Sequence, residues 1–123
     1  MRHRLLLVDD DARARDRTRT FLERRGFDVD CAGWIAQAQR LLSSVCYEAV
    51  VTDLQLSAAE GAEGLAVVVV TRRRCPATRI VLLAREASDS VAEAAHRLGV
   101  DVVMRERRTL PDLEGVIRAL LPS

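Results

Sequence analysis

Acidic residues at two places in the chain have the types and positions needed to bind a metal ion or to take part in phosphoryl chemistry. Asp9, Asp10 and Asp11 follow the largely apolar segment 4–8, and Asp53 follows a second apolar run. Short apolar runs are typical of strands buried on both faces, which belong to parallel sheets covered by helices. Ligands bind at the carboxyl ends of such strands, so both sets of acids are candidate site residues. Taken alone, Asp53 is equally typical of a turn.

The rest of the chain alternates between the patterns of strands and of helices. Apolar or alternating runs predict strands at 4–8, 27–31, 49–52, 80–84 and 100–104. Apolar residues at helical spacing predict helices at 12–25, 34–45, 65–74, 88–98 and 109–121. Ser88 is a predicted N-cap, the last helix is predicted to be entered through Thr109 and Pro111, and Gly26 and Gly99 are predicted helix ends.

Three segments call for closer interpretation. The helix at 34–45 is predicted to bury Trp34 together with the apolar residues that follow it at helical spacing. Residues 57–64 are predicted to form a loop, because they are small and include two glycines. The segment 65–74 is ambiguous, since its valine run favours a strand by propensity, and the alternation of elements favours a helix.

Five strands alternating with five helices indicate an α/β protein with right-handed crossovers. We predict a single domain of residues 1–123 with a five-stranded parallel sheet in the order 2-1-3-4-5, in a flavodoxin-like three-layer fold. In that order the strands that end at Asp9 and Asp53 are neighbours.

The predicted proximity of the acids has an electrostatic consequence. Two carboxylates 4 Å apart repel each other by roughly 4 kcal/mol at an effective dielectric constant of about 20. Either one carboxyl keeps its proton or a divalent cation neutralises the group, and hard oxygen ligands favour Mg²⁺ over Zn²⁺. The alternative is a surface of solvated acids that binds no ligand.

Composition limits the function classes. All 19 basic residues are arginines, there is no lysine, and the formal net charge is +1, which argues against nucleic-acid binding as the main activity. Cys31, Cys46 and Cys75 lack metal-binding spacing, and we expect them to be reduced thiols. The sequence contains neither a signal-peptide pattern nor an apolar segment of membrane-spanning length, so we expect a cytoplasmic protein.

The whole chain resembles the response-regulator receiver domain. The resemblance rests on Leu-Leu-Leu-Val-Asp-Asp-Asp at 5–11, on Val-Val-Thr-Asp-Leu around Asp53, and on Gly-Val-Asp at 99–101. It implies that Asp53 accepts phosphate from a histidine kinase or phosphotransfer protein. It also implies that Asp9 and Asp10 organise Mg²⁺ with Asp53 and the backbone carbonyl of Gln55, and that the domain is regulatory rather than an enzyme.

The chain departs from the family pattern at the positions that usually sense the phosphoryl group. Ala84 stands where the family carries Thr or Ser, Glu106 stands where it carries Lys, and Val103 replaces the usual aromatic residue. Gly64 lies later than the pattern expects, so the loop after Asp53 is predicted to be enlarged.

A shifted alignment offers substitutes for two of the missing groups. Ser88 is then the candidate hydroxyl, and Arg105 or Arg107 is the candidate cation. Arginine is a poor substitute for lysine, because its planar guanidinium group needs more room and a different geometry.

Several functions are compatible with these observations. The first is a receiver with detuned switching, and the second is a phosphorylation-independent interaction module. A haloacid-dehalogenase-like phosphatase with Asp9 as nucleophile is disfavoured because the chain lacks lysine, and a flavodoxin-like cofactor site is disfavoured because three acids would repel a phosphate. A local excess of arginines predicts protein association or self-association through the last strand and the last two helices; these residues are Arg97, Arg105, Arg107 and Arg108.

Overall fold

The computed structural model describes residues 2–56, 63–106 and 109–122. Its strands are β1 (Arg4–Val8), β2 (Asp28–Ala32), β3 (Ala49–Asp53), β4 (Arg79–Leu83) and β5 (Val102–Met104). Its helices are α1 (Ala12–Arg24), α2 (Ile35–Ser44), α3 (Glu63–Arg74), α4 (Asp89–Arg97) and α5 (Leu110–Leu120). Strand and helix alternate throughout the described chain, as predicted.

The strands form one parallel sheet in the order β2-β1-β3-β4-β5, which confirms the predicted fold class and strand order. The edge strand β2 is only partly buried, whereas four of the five residues of β1 and of β3 are buried. Central strands covered on both faces need apolar side chains in both directions, which explains the uninterrupted apolar runs.

The two faces of the sheet pack against different helices. Alternate strand residues point to opposite faces, so Leu5 and Leu7 lie in one cluster while Leu6 and Val8 lie in another. The first cluster includes residues of α1 and α5, namely Leu22, Leu113 and Ile117. The second includes residues of α2 and α3, namely Ala38, Leu42 and Val67, and a third joins β4 to α3 and α4 through Val68, Ile80, Leu82 and Ala95. These layers hold the carboxyl ends of β1 and β3 side by side.

The predicted helix ends are confirmed. Gly26 and Gly99 adopt positive φ angles of 99° and 104° just after α1 and α4, a conformation that glycine tolerates. The Ser88 side chain accepts a hydrogen bond from the Val91 amide, and Thr109 forms a capping box with the first turn of α5. None of the described helices combines the length and the apolarity needed to cross a lipid bilayer.

The valine run in the ambiguous segment belongs to helix α3, as the alternation of elements predicted. Val67 and Val68 are fully buried between α3 and the sheet, so packing outweighs the strand propensity of valine. The loop prediction is wrong at its end, because Glu63 and Gly64 already belong to α3. The rest of that loop, residues 57–62, lies outside the described residues.

The prediction that Trp34 is buried is wrong. Its side chain is 57% exposed, and its backbone is extended at the N-cap position of α2. Ile35 instead packs against the cluster that contains Ala38 and Leu42, so the apolar stripe begins one residue later.

The prediction that the cysteines are reduced is wrong for two of them. Cys46 and Cys75 form a disulfide, with their Cα atoms 5.7 Å apart and 29 residues apart in the sequence. Cys46 precedes β3 and Cys75 follows α3, so the chain returns to the same end of the sheet after one strand and one helix. Cys31 is a free thiol, and its burial raises its pKa.

Helix α3 begins directly against the backbone of β3, and only glycine fits at the contact. A Cβ atom on Gly64 would lie 2.0 Å from the carbonyl oxygen of Asp53 and 2.8 Å from the Cα atom of Leu54. The Gly64 amide also donates a hydrogen bond to the Leu54 carbonyl at 2.7 Å.

We therefore predict that Gly64→Ala lowers the free energy of unfolding by about 1 to 3 kcal/mol or more, because the backbone has to move. The matched control is Gly115→Ala in α5, where a Cβ atom would meet nothing within 4 Å. That change should stabilise the helix by up to about 1 kcal/mol. Urea unfolding of both variants measures the two effects, and equal stability of Gly64→Ala and the wild type would contradict the close contact.

Candidate functional site

The structure brings three of the predicted acids together at the carboxyl edge of the sheet. Carboxylate oxygens of Asp9, Asp10 and Asp53 all lie within 4.8 Å of one another, and we call these residues the acid cluster. Pairing of Val8 with Thr52 in β1 and β3 produces this proximity, because the next residue of each strand carries an acid. Asp9 is buried, Asp53 is half-buried and Asp10 is exposed, so the cluster is open to solvent on one side.

Asp11 has a structural role that the sequence analysis missed. Its carboxylate accepts hydrogen bonds from the amides of Arg13 (3.0 Å) and Ala14 (3.1 Å) and thereby caps α1. Its own amide donates to the Asp9 carboxylate at 2.9 Å. The signal was present, since Asp immediately before a helical pattern is a preferred N-cap. Asp11 therefore orients Asp9 and holds the start of the helix.

Arg15 also positions the site, and no sequence motif singled it out. Its guanidinium group donates to the Asp9 carbonyl at 2.8 Å. A Cβ atom on Gly33 would lie 2.8 Å from that guanidinium, so the glycine leaves room for the arginine. Only the packing of α1 against the turn after β2 places these residues together.

Burial and like charge act on Asp53 in the same direction. The pKa of Asp53 is raised from 3.8 to about 8, and burial is the largest cause. The hydrogen bond to Asp9 and then the negative charges of Asp9, Asp10 and Asp11 contribute the rest of this rise. Without a cation, the acid cluster therefore keeps a proton on Asp53 near neutral pH. A ligand with positive charge would replace that proton.

Two hydrogen bonds hold the backbone that follows Asp53. The Leu54 amide donates to the Leu83 carbonyl of β4 at 2.9 Å. The Leu56 amide donates to the carboxylate of Glu63, at the start of α3, at 3.1 Å. Gln55 lies between these two anchored residues, at the edge that carries the acid cluster.

The three positions that depart from the family pattern, Ala84, Val103 and Glu106, lie in or just beyond the strands β4 and β5. Ala84 is buried directly after β4, and its amide donates to the Met104 carbonyl at 2.9 Å. Val103 packs against the cluster that contains Leu82, and Glu106 lies exposed just beyond β5. A methyl group at Ala84 cannot donate a hydrogen bond to a ligand.

Two of the three candidate substitutes for the missing hydroxyl and cation, Ser88 and Arg105, bond to other groups. Ser88 caps α4, as described above. Arg105 donates to the Ala87 carbonyl through Nε (3.1 Å) and Nη2 (2.8 Å), and it pairs with Asp89 at 2.8 Å. Arg107, the other candidate cation, lies outside the described residues.

Comparisons with known proteins agree with this architecture. The family model of the response regulator receiver domain matches residues 5–117. The photosynthetic apparatus regulatory protein RegA of Rhodobacter capsulatus is 30% identical over 115 residues, which cover 94% of this chain and 61% of RegA. Transcriptional regulatory protein QseB of Escherichia coli O157:H7 is 31% identical over 118 residues, which cover 96% of this chain and 52% of QseB. The chain thus spans about half to three fifths of the length of these curated relatives.

Solved structures show the same fold. The chemotaxis response regulator CheY4 of Vibrio cholerae superposes with a TM-score of 0.86 at 18% identity, covering 98% of this chain and 100% of that chain. A response regulator protein from Burkholderia pseudomallei superposes with a TM-score of 0.84 at 24% identity, covering 94% of this chain and 66% of that chain. The latter structure contains a phosphorylated aspartic acid, a calcium ion and citrate.

The raised pKa of Asp53 predicts that, in metal-free buffer, the stability of the folded protein depends on pH. Between pH 3.8, the ordinary value, and about 8, the folded state keeps a proton that the unfolded state has lost, so stability falls as the pH rises. The Asp53→Asn variant has no titratable group at this position, so its stability should not decrease in this way. At pH 8 with EDTA, we expect the variant to be more stable than the wild type by on the order of 1 to 3 kcal/mol.

The difference between the two proteins should disappear below pH 4. The matched control is Asp16→Asn, which removes an exposed carboxylate of α1 that pairs with Arg19 at 3.4 Å and is not part of the acid cluster. Urea unfolding across the pH range provides the measurement. A difference between wild type and Asp53→Asn that is constant with pH would show that the Asp53 carboxyl is not perturbed.

Proposed function

Since this chain belongs to the response regulator receiver family of two-component signalling, we propose that Asp53 accepts a phosphoryl group beside a divalent cation held by Asp9, Asp10 and Asp53. The observation that carries the proposal is the convergence of three carboxylates within 4.8 Å at the ends of two adjacent strands. In the related chain from Burkholderia pseudomallei, a phosphorylated aspartic acid occurs together with a calcium ion, which supports this pairing of groups.

The donor set suits Mg²⁺. Carboxylate oxygens are hard ligands, and the exposed side of the acid cluster leaves room for water, which Mg²⁺ retains. We propose that the backbone carbonyl of Gln55 supplies a further oxygen. When bound, the cation would neutralise the charge that raises the pKa of Asp53 and would shield the charge of an incoming phosphoryl group.

The proposed reaction transfers a phosphoryl group from a donor nitrogen to Asp53. A carboxylate oxygen of Asp53 attacks phosphorus, the bond from phosphorus to the donor nitrogen breaks, and an acyl phosphate forms on Asp53. The donor we propose is a phosphohistidine on a histidine kinase or a phosphotransfer protein. Asp11 and Arg15 keep Asp9 in place during this step, because they bond its carboxylate and its carbonyl. The domain is regulatory rather than a classical enzyme.

We predict that the wild type binds Mg²⁺ and that it binds beryllofluoride only when Mg²⁺ is present. Asp53→Ala and Asp9→Asn should weaken Mg²⁺ binding by at least about tenfold, because each removes a negative charge and the alanine also removes the ligand oxygens. Asp16→Ala on the outer face of α1 should leave it unchanged. Calorimetric or NMR titration tests this, and the absence of a Mg²⁺ site in the wild type would refute the proposal.

We further propose that the phosphoryl group shifts this domain less than is usual for its family. Ala84 has no hydroxyl to follow the phosphoryl oxygens, and Glu106 places a negative charge where the family resemblance implies a cation. A charge-assisted hydrogen bond is worth about 1.5 to 3 kcal/mol, which is the size of bias that moves a conformational equilibrium. Phosphorylation at Asp53 should therefore be weakly coupled to β4 and β5.

The double replacement Ala84→Thr with Glu106→Lys should restore this coupling. With beryllofluoride and Mg²⁺, the double variant should show larger chemical-shift changes in β4 and β5 than the wild type. Ala84→Ser with Glu106→Gln is the matched control, since it returns a hydroxyl without a cation and should give an intermediate response. A full long-range response in the wild type would contradict detuned switching.

The alternative is a phosphorylation-independent interaction module. The same three replacements, Ala84, Val103 and Glu106, favour it, because a domain that never switches has no need of the sensing groups. Binding of beryllofluoride and Mg²⁺ together at Asp53 would reject this alternative. Normal partner binding by Asp53→Ala would support it.

We propose that protein partners contact the surface formed by β5, α4 and α5, in a cytoplasmic domain of residues 1–123 that binds neither nucleic acid nor membrane. Arg97 is exposed there, while the charge of Arg105 is already paired with Asp89. Charge reversal at Arg107 and Arg108 should weaken a complex in a salt-sensitive way. Unchanged affinity at low and high salt would reject this surface.

A further inference from the structure

The Cys46–Cys75 disulfide encloses the part of the chain that carries the proposed acceptor. Cys46 lies before β3 and Cys75 directly after α3, so the closed loop contains Asp53 and Gly64. At one end of this β3–α3 unit, Gly64 seats the first turn of α3 against the Asp53 carbonyl. At the other end, the disulfide joins the segment that enters β3 to the segment that leaves α3. The disulfide thus restricts how far α3 can move relative to β3.

The two cysteines differ in their access to solvent. Cys46 is exposed, whereas Cys75 is 5% exposed. A dissolved thiol or disulfide can therefore approach the pair from the Cys46 side. Small thiols keep most cytoplasmic cysteines reduced, and the disulfides that do occur there are usually transient. An accessible disulfide in a domain with the proposed cytoplasmic location is therefore expected to exchange with them.

We propose that Cys46 and Cys75 form a site of reversible thiol–disulfide modification, whose oxidation state sets how firmly the β3–α3 unit holds Asp53. The ligand class is a low-molecular-weight thiol and its disulfide, such as reduced and oxidised glutathione. This inference deepens the proposed function, and it rests on that function only where it concerns the reactivity of Asp53.

The exchange reaction balances without any further oxidant or reductant. A small-molecule thiolate attacks the sulfur of Cys46, the bond between the two protein sulfurs breaks, and Cys75 leaves as a thiolate that takes up a proton. A second small-molecule thiolate attacks the mixed disulfide and releases the thiol of Cys46. The protein gains two thiols, and the two small thiols become one disulfide. Oxidation of the protein is the reverse sequence.

Contacts other than the disulfide also hold α3, so we expect reduction to loosen the unit without unfolding it. The Arg72 guanidinium donates to the carbonyls of Pro76, Thr78 and Gly99, each at 2.7 Å. Arg74 donates to the Ser43 carbonyl at 3.1 Å. These bonds fasten the end of α3 to the start of β4, to the turn after α4 and to α2. With these bonds, we expect the domain to stay folded in both the oxidised and the reduced form, which a reversible modification requires.

Titration in glutathione buffers tests the exchange itself. The protein should carry Cys31→Ser, so that alkylation counts only the thiols of Cys46 and Cys75. We expect the alkylated fraction to rise reversibly as reduced glutathione replaces oxidised glutathione, with the same curve from both directions. A disulfide that does not open in reduced glutathione, or thiols that do not pair again in oxidised glutathione, would overturn the proposal.

Hydrogen exchange tests the mechanical consequence. In the reduced protein, amides of α3 should exchange on the order of tenfold faster than in the oxidised protein, while amides of α5 should not change. In the double variant Cys46→Ser with Cys75→Ser, the α3 amides should exchange as fast as in the reduced protein, and the rate should not depend on the redox buffer. If this variant fails to fold, chemical reduction of the wild type gives the same comparison. Equal exchange of α3 in both states would overturn the proposal.

The effect on the acceptor is measured by the affinity for beryllofluoride at saturating Mg²⁺ in both oxidation states. We expect the affinities to differ by at least about threefold. Equal affinities would overturn the claim that the pair acts on Asp53. If neither state binds beryllofluoride, the proposed phosphoacceptor function fails, while the glutathione and hydrogen-exchange results still decide whether the modification site exists.

Discussion

Parallel pairing of β1 with β3 brings three carboxylates within 4.8 Å of one another, and this concentration of negative charge is the constraint on which the site depends. Hydrophobic burial of the strands stabilises the pairing, although the acids at the strand ends repel each other. Burial of the Asp53 carboxyl, followed by the hydrogen bond and the negative charges of the neighbouring acids, raises its pKa to about 8. A site built in this way favours a proton or a cation, so in the proposed function the binding of a cation and the reactivity of Asp53 would be coupled by charge.

Neighbouring contacts keep the acids close despite their repulsion. Asp11 bonds the Asp9 carboxylate through its amide and caps α1 through its side chain. Gly64 lets α3 begin against the Asp53 carbonyl, which fixes the backbone on the other side. The preorganised cluster therefore depends on residues that are not ligands themselves, which is why substitutions outside the acid cluster are expected to affect it.

The site contains all three acids of the acid cluster, but it lacks the groups that usually sense the phosphoryl group in this family. Ala84 follows β4, which pairs with the strand that carries Asp53, and Glu106 lies beyond β5, one strand further out. Neither side chain has a donor for a phosphoryl oxygen. Ser88 and Arg105, which could have compensated, bond to α4 instead. Under the proposed function, retention of the acids without the sensing groups would separate the chemistry at Asp53 from the conformational response, which depends on different side chains.

The sequence by itself determined the order of the elements, the class of fold and the acids at two strand ends, because apolar periodicity and caps are local properties of the chain. The spacing alone predicts that Trp34 is buried with α2, but its backbone is extended at the N-cap position, so its side chain does not follow the helical periodicity. The tertiary structure alone decided the pairing of Cys46 with Cys75 and the contact of Arg15 with Asp9. Such contacts join residues distant in sequence or on separate elements, and only packing of helices on the sheet sets their distances.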